Sequence, residues 1–163
     1  MKRVLILSAT SGSNLALANR IKEIIITKGA EAEVLSIEEL SFPLYSPSSE
    51  KCDGVDIISE ALCNAGAYII CAPEYNGSIP PVVTNAIAWI SVSTDGWRDA
   101  FNNKFALIAS SSGGPGTKYL LAMRTQLEHL GSIVLPRTIM TSSNNPFNID
   151  SASKIINNLL SHI

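Results

Sequence analysis

The chain has 163 residues, 46% apolar and 16% charged, which fits one water-soluble globular domain able to bury a sizeable core. Twelve basic and fourteen acidic side chains leave a net charge of −2 with no basic run, which argues against nucleic acid or an anionic membrane as the main partner. Cys52, Cys63 and Cys71 lack C-x-x-C spacing, and His129 and His162 stand far from them. No metal cluster follows, and the thiols read as reduced in a cytoplasmic protein.

The N-terminal "MKRVLILSAT" places two positive charges before "VLIL", an apolar stretch too short for a signal sequence or a membrane span. It reads as a first buried strand over residues 3–8. From Asn14 to Lys28, Leu15, Ala18, Ile21, Ile25 and Ile26 recur at helical spacing, and Gly29 ends the helix. A second strand is expected at 32–37. Residues 38–53, with Pro43, Pro47 and several serines, read as a long functional loop. A helix around 54–66 leads to "AYIICA" at 67–72, a strand without exposed-face alternation. The next helix follows Pro80 and Pro81 and runs to about Ser93, with Ser78 as a candidate cap. After a connection turning at Asp95-Gly96, residues 104–110 form another apolar strand. Residues 117–130 form a helix closed by Gly131, residues 132–140 a fifth strand, and the last helix takes Asp150 or Ser151 as its cap.

Strands apolar on both faces, alternating with helices, imply a parallel sheet between two helix layers. The expected architecture is a doubly wound α/β domain spanning residues 1–163, with strand order 2-1-3-4-5. Ligands of such sheets sit beyond the carboxyl ends of the strands, at the switch point of the topology. The chemistry should therefore gather after strands 1, 3 and 4.

It does. After strand 1, "SATSGSN" (8–14) precedes a helix whose first amides lack partners: either an anion site without lysine or a capped turn with no ligand. Neither G-x-x-x-x-G-K-[ST] nor G-x-G-x-x-G is present, which disfavours nucleotide hydrolysis and dinucleotide binding of the usual kind. After strand 3, "PEYNGS" brings a flat ring and an amide to a strand end, or forms a plain Asn-Gly turn. After strand 4, "SSSGGPG" (110–116) lets the backbone approach a flat ligand, or is simply flexible. Each loop alone is ambiguous; the coincidence of three at one sheet edge is the signal.

"PEYNGSIPPVVTNAIAWI" resembles the central motif of NADPH-dependent FMN reductases, a flavodoxin-like family that includes quinone, azo and chromate reductases. The likeness continues through "NKFALIASSSGGPGTKYLLAMRTQLEHLGSIVLP". The resemblance implies that Ser8, Thr10, Ser11, Gly12, Ser13 and Asn14 hold the FMN phosphate. It implies that Pro73, Glu74, Tyr75 and Asn76 line the isoalloxazine, with backbone amides reaching the pyrimidine end. Ser111, Ser112, Gly113 and Gly114 would flank the ring. Thr10 stands near the place where many members carry arginine, Pro81 where glycine is usual, and Ala88 where aspartate is usual.

The implied activity is hydride transfer from NADPH or NADH through FMN to a small-molecule acceptor: a flavin, a quinone, an azo compound or a metal oxyanion. The flavin carries the chemistry, so no catalytic side chain and no metal is assigned. Cys71 and His129 read as structural. A homodimer or homotetramer is expected from the family. The alternative is a flavodoxin-type electron carrier, against which the small net charge argues. A receiver module would need aspartates after strand 1, and a flavin-less scaffold of the same fold is the remaining rival.

Overall fold

In a computed structural model that describes residues 2–163, the first strand is β1 (Arg3–Ser8). The first helix, α1 (Ser13–Thr27), returns the chain to β2 (Glu31–Ser36), and α2 (Asp53–Asn64) leads on to β3 (Ala67–Cys71). Then follow α3 (Pro81–Ser93), β4 (Phe105–Ser111), α4 (Thr117–His129), β5 (Ile133–Val134), β6 (Ile139–Thr141) and α5 (Ile149–Leu160). All pairings are parallel, in the expected order β2-β1-β3-β4-β5. The fold is flavodoxin-like.

The apolar runs are continuous because both faces of the sheet are covered. Alternate residues Leu5, Leu7, Tyr68, Ile70, Ala106 and Ile108 face one core with α2, α3 and α4. Their neighbours Val4, Ile6, Ile69, Cys71, Leu107 and Ala109 face the other with α1 and α5. Strand period 2 decides which residue joins which core. No polar face remains on the central strands, so alternation is invisible in their composition.

Several local expectations change. The fifth strand is two pieces: Ala106 faces Val134 but Ala109 faces Ile139, so two extra residues are accommodated between them. Pro136 lies in that gap, where it has no N–H to give a ladder. The final helix is capped by neither Asp150 nor Ser151. Asn148 is the cap, and its side chain accepts from the Ser151 amide at 2.8 Å. Ser78 does not cap α3 either; Pro80 stands there, with Pro81 at the first helical position.

Ser78 instead closes a hairpin turn. Tyr75 and Ser78 exchange backbone hydrogen bonds of 3.1 and 2.9 Å, and Asn76 (φ 51°) and Gly77 (φ 73°) are both left-handed. Two central residues with positive φ define the tight Asn-Gly turn of a two-residue hairpin. Gly29 and Gly131, with φ of 78° and 91°, end their helices as expected. Among the described residues, no helix is long and apolar enough to cross a membrane.

Candidate functional site

The carboxyl ends of β1, β3, β4 and β6 open into one cleft of about 870 Å³. Of the residues proposed from the sequence, Thr10, Gly12, Ser13, Asn14, Pro73, Glu74, Tyr75, Ser111, Ser112 and Gly113 line it. Ser8, Ser11, Asn76 and Gly114 do not. Ser8 is fully buried and donates its hydroxyl to the Thr10 carbonyl at 2.7 Å, which bends the chain out of β1. Asn76 occupies the exposed tip of the hairpin.

The start of α1 forms the anion-attracting wall. The first helical hydrogen bond runs from Ala16 N–H to Gly12 carbonyl, and the amides of Gly12, Ser13 and Asn14 find no acceptor among the described residues. Such unpaired amides, at the positive end of a helix, favour a negative group. Gly12 has open space where a side chain would stand.

Asn14 is 1% exposed, and its side chain is committed to the protein. Its Nδ2 donates to the Ser111 carbonyl at 2.9 Å, and its Oδ1 accepts from the Ser111 amide at 2.8 Å. What Asn14 offers a ligand is its backbone N–H. The side chain fastens the first loop to the end of β4.

Glu74 is engaged twice. Its amide donates to Ser112 Oγ at 2.9 Å, and that hydroxyl lies 2.8 Å from Ser110 Oγ. Its carboxylate accepts from the amides of Lys118 and Tyr119 at 2.9 and 3.2 Å, capping α4 from 44 residues away. The local cap position, Gly116 at φ 66°, has no side chain to do this. The carboxylate of Glu74 is thus the N-terminal cap of α4. The Tyr75 amide is held by the Ser78 carbonyl, so neither Glu74 nor Tyr75 has a free backbone donor. Tyr75 instead presents a ring that is 48% exposed. Gly113 and Gly114 have open space on their Cβ sides.

Residues outside the sequence-derived set complete the cleft. Glu38, just beyond β2, accepts from both the amide of Ser11 (2.7 Å) and its hydroxyl. The two donors hold its carboxyl below the usual value of 4.5, the hydroxyl contributing most. On the opposite flank lie Arg20, Thr141, Ser142, Ser143, Pro146 and Phe147. Arg20 rests its guanidinium over the Phe147 ring, 4.1 Å from the centroid. The signal that would have found this flank was topological: the segment after β6 is also a strand carboxyl end. Glu38 carried no signal, because a glutamate after a strand is ordinary.

Cys71 is fully buried in β3, and burial pushes its thiol far up. His129 is exposed at the end of α4 and lies outside the cleft.

The sequence matches the NADPH-dependent FMN reductase family over residues 1–146, and the chain belongs to that family. No match is found among curated proteins. Among solved structures, the chain is similar to FerB, a flavoenzyme NAD(P)H:(acceptor) oxidoreductase from Paracoccus denitrificans. The identity is 18% and the TM-score 0.77, covering 99% of this chain and 94% of that one. An azoreductase from Bacillus anthracis aligns at 14% identity and TM-score 0.66 over 99% of this chain and 96% of that one. Flavodoxin 1 from Bacillus cereus aligns at 17% identity and TM-score 0.66 over 100% and 99%. At these identities the structures establish the shared fold.

Membership makes the chain a flavin-dependent oxidoreductase, with FMN as cofactor and a nicotinamide dinucleotide as co-substrate. The cleft fits the group. Unpaired helix amides suit a phosphate, the open Gly113 backbone suits close approach of a flat ring, and Tyr75 adds an aromatic surface. Ser11 is the exception, since Glu38 already occupies both of its donors.

Proposed function

We propose that the chain is an NAD(P)H-dependent FMN reductase that passes electrons to a small acceptor such as a flavin, a quinone, an azo compound or a metal oxyanion. The observation that carries this reading is the convergence of the three loops on one cleft, pinned together by Asn14–Ser111 and Glu74–Ser112. Bound FMN supplies hydride acceptance and electron release. The chain's residues bind and orient. The amides of Gly12, Ser13 and Asn14, with Thr10, hold the phosphate end. Pro73, Tyr75, Ser112 and Gly113 hold the ring. No side chain in the cleft is assigned a proton-transfer step. Asn76 forms the turn that presents Tyr75, and Gly114 continues the loop beyond Gly113.

The reading extends to assembly and place. The chain works as one domain and as a homodimer or homotetramer, supported by family membership and by exposed apolar side chains such as Leu121, 64% exposed beside Ile79. It resides in the cytoplasm, a reading supported by three free cysteines.

The test is spectroscopic. The purified protein, loaded with FMN, is mixed anaerobically with NADPH or NADH while the flavin band is followed. Rapid bleaching supports the reductase. A protein that binds no FMN overturns it, and a flavoprotein bleached only by a second reductase replaces it with an electron carrier.

A further inference from the structure

Among the described residues, Arg20 is the one cationic side chain lining the cleft, where it stands with two carboxylates, Glu38 and Glu74. Glu74 has its charge met by the amides that begin α4, whereas Glu38 holds both donors of Ser11. The first loop, from Ser8 to Asn14, carries no lysine or arginine. A dianionic phosphate entering this cleft therefore meets hydroxyls, free amides and a carboxylate before it meets any full positive charge.

That charge is positioned for it. Ser13, Leu17 and Arg20 follow one another at spacings of four and three, which puts them on one stripe of α1. Side chains of a helix lean toward its N-terminus, so an arginine two turns in carries its guanidinium back along the stripe, toward the unpaired amides. Phe147, half-buried and packed on the core under α1 and α5, gives the guanidinium a fixed face to rest on at 4.1 Å. Stacking engages the face of the guanidinium and leaves its in-plane N–H donors available. Among the described residues, Arg20 makes neither a hydrogen bond nor an ion pair. An exposed cation stacked on Phe147, with unused donors, in the cleft that needs one, is a recognition group.

We infer that Arg20, braced by Phe147, is the phosphate-recognition residue of this chain. It takes the place of the first-loop cation that Thr10 cannot supply, and it draws the phosphate to the α1 amides and away from Ser11. The inference rests on the flavin reading above and specifies which end of the flavin this residue recognises. Arg20 sets the preference for a phosphorylated flavin over a neutral one.

Riboflavin and FMN differ only in the phosphate, so the pair isolates it. Dissociation constants for both are measured by quenching of flavin fluorescence for the full chain, R20M and R20K, at low and high salt, with melting temperatures as the check on folding. Methionine keeps an apolar stem against Phe147 and removes the charge. R20M should weaken FMN binding about tenfold or more and leave riboflavin binding unchanged. R20K should fall between, because it keeps the charge and loses the fork. Salt should erode the FMN preference of the wild type more than that of R20M. If the wild type prefers FMN and R20M keeps that preference undiminished, Arg20 has no such role while the flavin reading stands. If the wild type binds neither flavin, the flavin reading falls, and this inference with it.

Discussion

Asn14 and Ser111 exchange two hydrogen bonds across 97 residues of sequence, side chain to backbone in both directions. Asn14 sits in the first turn of α1 and Ser111 is the last residue of β4. The pair therefore joins the loop that faces a phosphate to the strand end that faces a ring. An aspartate in its place would keep the acceptor and lose the donor. An alanine would lose both.

N14A should remove a side chain that is only 1% exposed and leave the half-buried Ser111 amide and carbonyl without these partners, at a cost of about 1–3 kcal/mol. Urea unfolding of the flavin-free protein measures this. The cleft should also lose its register, so FMN affinity should fall together with stability. A variant with wild-type unfolding free energy would mean that the two loops hold their places without the pair.

Glu74 and the start of α4 make a second tie of the same kind. E74A should uncap α4 and cost about 0.5–2 kcal/mol, the range for loss of an N-terminal cap. E74Q keeps an acceptor for the Lys118 and Tyr119 amides and should lose less. Hydrogen exchange of these two amides reads the effect directly: faster in E74A, with E74Q between. Unchanged exchange at both would show that α4 needs no cap from β3's loop.

The Glu38 carboxyl titrates below its ordinary value of 4.5 because Ser11 donates its hydroxyl, and then its amide, to the charged form. A lowered folded pKa means that the contact stabilises the fold fully above that ordinary value and is lost as pH falls through the folded one. The melting temperature of the flavin-free protein should therefore drop more steeply on the acid side than that of E38Q. At neutral pH, E38Q should bind FMN more tightly, by roughly two- to fivefold, because a negative charge leaves the phosphate's neighbourhood and Ser11 is less firmly held. Parallel acid-side melting curves, or weaker binding by E38Q, would show that the Ser11–Glu38 contact does not oppose the ligand.

The order of elements and the sheet were legible in the sequence because both come from strong, local signals. Branched apolar runs of five or six residues, such as "AYIIC", end at polar loops and alternate with helical periodicity, which calls for a parallel sheet covered by helices on both faces. Gly29 and Gly131 marked helix ends because left-handed backbone favours glycine there. The three loops were legible as a set, since the topology gathers the ends of β1, β3 and β4 at one edge.

The tertiary structure alone decided what each side chain in those loops does. Asn14 and Glu74 looked like ligand contacts from their positions, yet their side chains close distances of 97 and 44 residues along the chain. Glu38 and Arg20 carried no motif, and they enter the cleft only because β2 and the segment after β6 end beside α1. Pro136 could be seen to lack a donor, but only the pairing with β4 shows two residues accommodated and the edge strand resumed at Ile139. The physical reason is common to all of these. Backbone periodicity and turn chemistry are properties of neighbours in sequence, while hydrogen-bond partners and the sum of charge around a cleft belong to residues that become neighbours only after folding.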